Sequence, residues 1–321
     1  MATFTPLTEA DVRSLFAAYS LGEVVGFRGI PAGSVNSNFA VDTSERSLFL
    51  RVYEEQDASG ARDEAELLTH LAARGVLTAG PLSRRDGAFV SEMHKKPAAV
   101  FPWMAGGMRC QASVSLADAR RVGEALGRIH AAGADAKRGA GRFQAADLFT
   151  RLERVALCPN ADLAAQAGPL ERELTAWSAR RNPDLPRGLV HGDLFRDNVL
   201  WSDDGQISAL LDFESASDGV LAYDLMVTVL AWCVGDELDA DLGRALVLGY
   251  QTVRPLTEAE KNGLCAEGCL AALRFTVTRI TDYAMRAGVG PRVMKDWRRF
   301  LSRFERMKAL DTQGVRSALG V

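Results

Sequence analysis

His191, Asp193 and Asn198 fall at the spacing H-x-D-x-x-x-x-N within LVHGDLFRDNVLW (189–201), and Asp212 follows in ALLDFES. A carboxylate such as Asp193 can orient a hydroxyl and take its proton as a new P–O bond forms. An amide oxygen a few residues on, at Asn198, can bind a hard cation without repelling a triphosphate. A second carboxylate, Asp212, supplies the charge that such a cation requires. Together these types point to phosphoryl transfer from a nucleotide to a hydroxyl, with Asn198 and Asp212 as metal ligands. Each segment alone also fits a strand–turn–strand in which Asp and Asn stabilise the turn; their pairing favours one shared cleft.

The same spacing occurs in the catalytic loop of protein kinases, where a downstream Asp at a strand end holds the bridging metal. His191 and Asp224 join Asp193 as expected catalytic-loop residues. Asp224, in AYDL at a helix start, can cap that helix or brace the loop by hydrogen bonding. His130 ends a helix, where a structural or capping role is the plainer reading.

Phosphate-facing groups must come from elsewhere, and the amino-terminal third offers them. IPAGSVNSNF (30–39) lies between two strands and carries Gly33, Ser34, Asn36, Ser37 and Asn38, which can cradle phosphate oxygens. It lacks G-x-G-x-x-G, and Gly-Ser-Asn loops often simply turn. Arg51 on the third strand can neutralise phosphate, with Glu64 or Glu66 on the following helix as its ion-pair partner. Its alternative is an exposed strand position. VFPWM (100–104), with Phe101 and Trp103, can present an extended hinge to adenine or be an ordinary edge strand.

The elements that position these residues follow from hydrophobic period and capping signals. Thr8 with Asp11 opens a helix over 8–19. Strands are expected at 24–30, 38–43, 47–53, 87–93 and 98–104, with a helix at 61–74, giving a five-stranded antiparallel sheet. From Ser115, which forms a capping box with Asp118, the pattern turns helical: 145–156, 162–180, 222–234, 238–253, 258–287 and 291–310 follow. Short strands at 188–191 and 209–213 bracket the Asp193 loop, and 132–142 reads as a flexible connector. The layout is α+β and two-lobed: a β-rich nucleotide-binding lobe and hinge over 1–104, then a helical catalytic and substrate lobe over 105–321.

Composition narrows the partners. The chain has 321 residues, 47% hydrophobic and 25% charged, with a net charge of −3, so no global field draws nucleic acid or an anionic membrane. No apolar run approaches the ~20 residues of a membrane span, and the amino terminus lacks a signal-peptide pattern. The five cysteines are scattered without paired metal-ligand spacing. A cytoplasmic protein with reduced thiols is expected, and no oligomeric state is indicated.

HGDLFRDNVLW, LLDFESAS and AYDLMVTVLAWC resemble the aminoglycoside phosphotransferase/choline kinase superfamily, whose members have a protein-kinase-like fold. Within it, FRGIPAGSVNSNF, KKPAAVFPWMAGG, VGEALGRIHAAG and LRFTVTRI are similar, in order, to segments of the bacterial homoserine kinases of this fold. The resemblance implies ATP and Mg²⁺ and phosphorylation of L-homoserine on the route to threonine. It departs at Ala231, where those enzymes suggest Asp, and at Glu214, which is more typical of the wider superfamily; Arg51 departs from the superfamily's Lys, which homoserine kinases of this type also tend to lack. By the resemblance, Arg274 is the expected clamp on the acceptor's carboxylate and Glu214 a further acceptor-side residue. Arg279, five positions along the same helix, is expected in a structural ion pair. Two other readings stand beside this one: an aminoglycoside or aminoalcohol (choline-like) phosphotransferase, and a catalytically inactive pseudokinase acting as a binding module.

Overall fold

The computed structural model describes residues 5–30, 35–136, 138–286 and 295–321. The chain divides into two compact units, the first running to Ala105 and the second opening at Gly106.

In the first unit, helix α1 (Glu9–Phe16) opens on the Thr8/Asp11 capping box and turns Val12, Leu15 and Phe16 inward. Strands β1 (Val24–Ile30), β2 (Ser37–Thr43), β3 (Ser47–Val52), β4 (Val90–Met93) and β5 (Lys96–Pro102) form one antiparallel sheet in the order β1-β2-β3-β5-β4. Helix α2 (Ala58–Ala73), capped by Asp57, is inserted after β3. The period of two along β3 sends Leu48, Leu50 and Val52 into the core with Val12, Phe16, Val41 and Val100. It sends Phe49 and Arg51 to the other face. The expected strand at 87–93 is shortened to Val90–Met93 because Asp86 and Gly87 are spent on a turn, with Gly87 at φ 86°.

The second unit is mostly helical. Helix α3 (Leu116–Ala132) starts on the expected Ser115/Asp118 box, and α4 (Ala145–Ala156) follows. The helix expected at 162–180 is two, α5 (Ala161–Ala164) and α6 (Ala167–Ser178). Pro169 explains the break: with no N–H to give, it fits the first turn of a new helix and not the interior of a continuous one. Four short strands come next: β6 (Arg187–Val190), β7 (Val199–Trp201), β8 (Ile207–Leu210) and β9 (Ser217–Val220), paired β6–β9 and β7–β8. Strand β9, sequence SDGV, carries no strand signal and is set by its pairing, Val190 opposite Ser217. The segment expected as a loose connector is tied to it, since Asp218 N–H donates to the Gly139 carbonyl at 3.0 Å.

Helices α7 (Leu221–Trp232), α8 (Ala240–Gln251), α9 (Glu258–Asp282) and α10 (Arg298–Leu319) complete the unit. α7 and most of α9 are buried nearly all round. Two glycines let α3 and α8 touch backbone to backbone. A Cβ on Gly123 would lie 1.8 Å from the Leu246 carbonyl, and one on Gly249 would lie 1.9 Å from that of Arg120. The last expected helix stops at 310, where Asp311 takes φ 55°; its carboxylate then accepts the Gly314 N–H and helix resumes to Leu319. The expected start of that helix, 291–294, and the last residue of the preceding one, 287, lie outside the described residues.

Candidate active site

The loop after β6 is held by its backbone. Gly192 sits at φ 76°, a conformation only glycine adopts without strain. The Asp224 carboxylate, on the first turn of α7, accepts the His191 N–H at 2.7 Å and the Gly192 N–H at 2.8 Å. His191 donates from Nε2 to the Leu211 carbonyl at 3.0 Å, which leaves Nδ1 to accept the Asp193 N–H at 3.3 Å. The ring also packs 4.6 Å from that of Phe213. Asn198 donates its side-chain amide N–H to the Asp193 carbonyl at 2.8 Å, and its backbone carbonyl accepts the Leu211 N–H at 2.9 Å. The Asp193 loop and the Asp212 turn are thereby stitched together at several points.

His191 and Asp224, expected among the catalytic-loop residues, are both fully buried and hold the backbone of that loop. Behind Asp224 stands a chain of buried partners that the sequence did not reveal. His130 Nε2 lies 3.1 Å from Asp224 and its Nδ1 lies 2.8 Å from the Tyr250 hydroxyl. Arg254 donates to that hydroxyl at 3.0 Å and to Glu260 at 2.7 Å. Burial pushes the Asp224 carboxyl upward, but the His130 hydrogen bond and charge, with those of the loop, carry it below the ordinary carboxylate range. Burial raises the Tyr250 hydroxyl, keeping it a neutral relay between Arg254 and His130.

Asp193 itself keeps 28% of its side chain exposed. Burial raises its carboxyl above the ordinary range, Arg274 opposes that, and Asp212 adds to it. Arg274 reaches to 3.8 Å of the Asp193 carboxylate from α9, with its side chain only 6% exposed. Its guanidinium lies over Phe143 and Phe275, 4.0 and 3.8 Å from the ring centroids. The structure therefore brings together Asp193, Asn198, Asp212 and Arg274.

Asp212 stands in the left-handed region at φ 63°, ψ 65°, immediately after β8, and Glu214 follows half-buried. Among the described residues no Lys or Arg closes an ion pair on Asp212, although most other half-buried carboxylates of the chain have one. Among those residues no group of three or more His, Cys, Asp or Glu forms a self-sufficient metal site. What the turn offers is one unpaired carboxylate and one amide oxygen. That hard, oxygen-only donor set suits a divalent cation whose other ligands come from phosphate and water.

In the first unit Arg51 pairs with Glu64 at 3.1 Å, with side chains 15% and 2% exposed. It lies among the rings of Phe49, Tyr53 and Phe101, so it is not an exposed strand residue. Glu66 is exposed, two residues and about half a turn beyond Glu64, and points away from Arg51. Ser37 was expected to face phosphate; it is fully buried, accepts the Thr5 N–H at 2.9 Å and donates to Glu54 at 2.5 Å. Asn36 is buried too, accepting the Glu54 N–H at 3.1 Å, and Asn38 is buried opposite Arg51 in the sheet. Strand alternation and the Glu54–Lys96 ion pair claim these side chains for structure. Gly33 and Ser34 lie outside the described residues. Phe101 is buried against Phe49, whereas Trp103 is 41% exposed.

Among the described residues Arg279 does not form the expected ion pair. It donates to the Asp296 carbonyl at 2.9 Å and stacks on Phe300, and Asp282 is taken instead by Arg151. Lys295 also acts on Asp193, lowering its carboxyl.

Comparison with known proteins agrees with this geometry. A homoserine kinase of Methylocella silvestris is 34% identical over 100% of this chain and 99% of its own length. One of Xanthobacter autotrophicus is 36% identical over 88% of each chain. Among solved structures, an amicoumacin kinase in complex with AMP-PNP, Ca²⁺ and Ami aligns with a TM-score of 0.72 at 15% identity, covering 95% of each chain. An aminoglycoside phosphotransferase from Alicyclobacillus acidocaldarius aligns at 0.67 and 16%, covering 98% of this chain and 97% of its own. These two share the protein-kinase-like fold. No helix among the described residues is long and apolar enough to cross a membrane. The profile of the phosphotransferase enzyme family matches residues 26–256, from the first sheet strand through the Asp193 loop and the Asp212 turn as far as Arg254 of the Asp224 brace, and the chain belongs to that family.

Proposed function

We propose that this enzyme transfers the terminal phosphoryl group of ATP to the side-chain hydroxyl of L-homoserine, yielding O-phospho-L-homoserine for threonine synthesis. The observation that carries the reading is Arg274 beside Asp193, a cation next to the base in a chain alike over its full length to homoserine kinases. An amino acid acceptor brings a carboxylate for that cation. A polycationic aminoglycoside, or choline, would be repelled there, and a binding module would need no exposed carboxylate at 193.

Asp193 orients the acceptor hydroxyl and takes its proton; burial makes its carboxylate a stronger base than a solvated one. Arg274, fixed by Phe143 and Phe275, clamps the acceptor's carboxylate and so sets the hydroxyl's position. Asn198 and Asp212 would hold Mg²⁺, which when bound neutralises charge on the nucleotide phosphates. Arg51, braced by Glu64, is a cation of the first unit suited in type to a nucleotide phosphate. The loop's rigidity through Asp224 matters because the chemistry is chiefly positioning and charge neutralisation.

An ADP-release assay with L-homoserine, choline, methylthioribose and kanamycin tests the reading. Turnover should be selective for homoserine and fall by about 10³-fold or more in Asp193→Ala. Equal or better turnover of kanamycin or choline would remove the acceptor assignment, and undiminished turnover in Asp193→Ala would remove the base.

A further inference from the structure

Four arginines gather at the C-terminal end of α7: Arg196 of the loop, Arg279 of α9, and Arg299 and Arg303 of α10. Arg303 senses the charges of Arg279, Arg196 and Arg299, and both Arg196 and Arg279 sense Arg299. None closes an ion pair with a carboxylate among the described residues. Three of them rest on backbone carbonyls instead: Arg196 on Ala231, Arg303 on Val234 at 2.7 Å, and Arg279 on Asp296 at 2.9 Å. Arg303 is 7% exposed, and its buried Nε has no hydrogen-bond partner among the described residues.

The acids nearby are committed or peripheral. Asp296 reaches Arg298 at 3.8 Å, Glu237 pairs with Arg306, and Asp197 is exposed. Segments 1–4, 31–34 and 287–294 and Lys137 contain no Asp or Glu, so no acidic side chain outside the described residues can supply the missing charge. Phe300 carries Arg279 and Arg303 at 4.4 and 4.6 Å from its centroid. Stacking holds a guanidinium by its face and leaves its in-plane N–H donors for an oxyanion. Burial brings Arg279 and Arg303 down to about 10; Arg279, Arg196 and Arg299 add to this at Arg303, whereas at Arg279 the repulsion of Arg299 is set against Tyr283, Asp193 and Asp296.

We propose that Arg196, Arg279, Arg299 and Arg303 form a binding site for the oxyanion of a small ligand, a carboxylate or a phosphate. Nothing in this depends on which acceptor the enzyme phosphorylates. Ala231 gives an internal control, because Arg196 already bonds its carbonyl and a carboxylate at that position would lie within the guanidinium's reach.

The test titrates inorganic phosphate into the full chain, with chloride at matched ionic strength, and follows thermal unfolding. Phosphate should raise the wild-type midpoint by several degrees at saturation. Arg299→Gln, an exposed position that leaves the core intact, and Ala231→Asp, which supplies its own anion, should each weaken phosphate binding by about tenfold. Displacement of phosphate by L-homoserine but not by 3-aminopropanol would identify the ligand group as a carboxylate and would move the acceptor's clamp from Arg274 to this cluster. Phosphate held undisplaced would identify a separate phosphate site. An equal midpoint rise in wild type and both variants, or none in wild type, would overturn the proposal.

Discussion

Asp224→Asn is the most demanding test of the braced loop. The native carboxylate accepts from the His191 and Gly192 N–H groups at 2.7 and 2.8 Å and meets His130 at 3.1 Å, all without solvent. An Asn has one oxygen, which can keep one backbone N–H; its amide nitrogen then faces the other. His130 can adapt by moving its proton to Nδ1 and letting Nε2 accept, since the Tyr250 hydroxyl can accept as well as donate. What cannot adapt is the second backbone N–H. Losing its charge-assisted bond costs about 1.5–3 kcal/mol, and leaving it buried and unmet costs about 1–3 more, so the loss is ~3–5 kcal/mol. A loop displaced by about 1 Å would lower kcat by roughly 10²-fold. Urea unfolding followed by tryptophan fluorescence is suited to the first quantity, because Trp232 donates to the Leu194 carbonyl in this same loop. The pH dependence has a fixed sign. The folded carboxyl lies below its unfolded value of 3.8, so its contribution is fully present above that pH and is lost as pH falls through the folded value. The wild-type advantage over Asp224→Asn should therefore be constant near neutrality and shrink only below about pH 4. A variant within about 1 kcal/mol of wild type and with unchanged kcat would refute the bracing argument.

Asp212→Asn should weaken Mg·ATP binding by at least about tenfold while metal-free ATP binds as before; calorimetry with and without Mg²⁺ separates these, and equal losses would deny the metal role. Ser37→Ala should destabilise the first unit by about 1.5–3 kcal/mol through the bond it makes to the charged Glu54 carboxylate, with the KM for ATP unchanged; a raised KM would restore Ser37 to the phosphates. Gly249→Ala puts a methyl 1.9 Å from the Arg120 carbonyl. Separating α3 from α8 should cost about 1–3 kcal/mol or more in denaturant unfolding and lower kcat as Tyr250 leaves His130, whereas wild-type stability would contradict the helix contact.

Much of the fold was legible in the sequence because its signals are local. The capping boxes at Thr8 and Ser115 act within four residues, and the structure has both. Strand alternation in β3 set which side of the sheet Arg51 occupies. Where a signal was weak, pairing decided the outcome. Strand β9 exists because β6 needs a partner, and the segment around Gly139 is ordered because β9 offers it an edge. Helix continuity through 162–180 was overestimated where Gly168-Pro169 begins a new helix, and that cue was present in the sequence.

The site divides along the same line. Asp193, Asn198 and Asp212 carry chemistry within short motifs, so residue type and spacing sufficed to find them. Ser37 has the right type for phosphate, yet its hydroxyl was already claimed by Thr5 and Glu54, which only the folded sheet brings near. His130, Tyr250, Arg254 and Glu260 span more than a hundred residues of chain and support Asp224 only because Gly123 and Gly249 let two helices meet at the backbone. No local pattern could have announced that chain, since three of its members read as ordinary helix residues and Arg254 as part of the turn between two helices. Arg279 shows the converse: a basic residue near Asp282 suggests an ion pair, but Arg151 arrives from α4 and takes that acid first. Loop chemistry is thus encoded by neighbours in sequence. The rigidity that makes it effective, and the unneutralised charge beside it, are decided by which distant side chain reaches a partner before its competitors do.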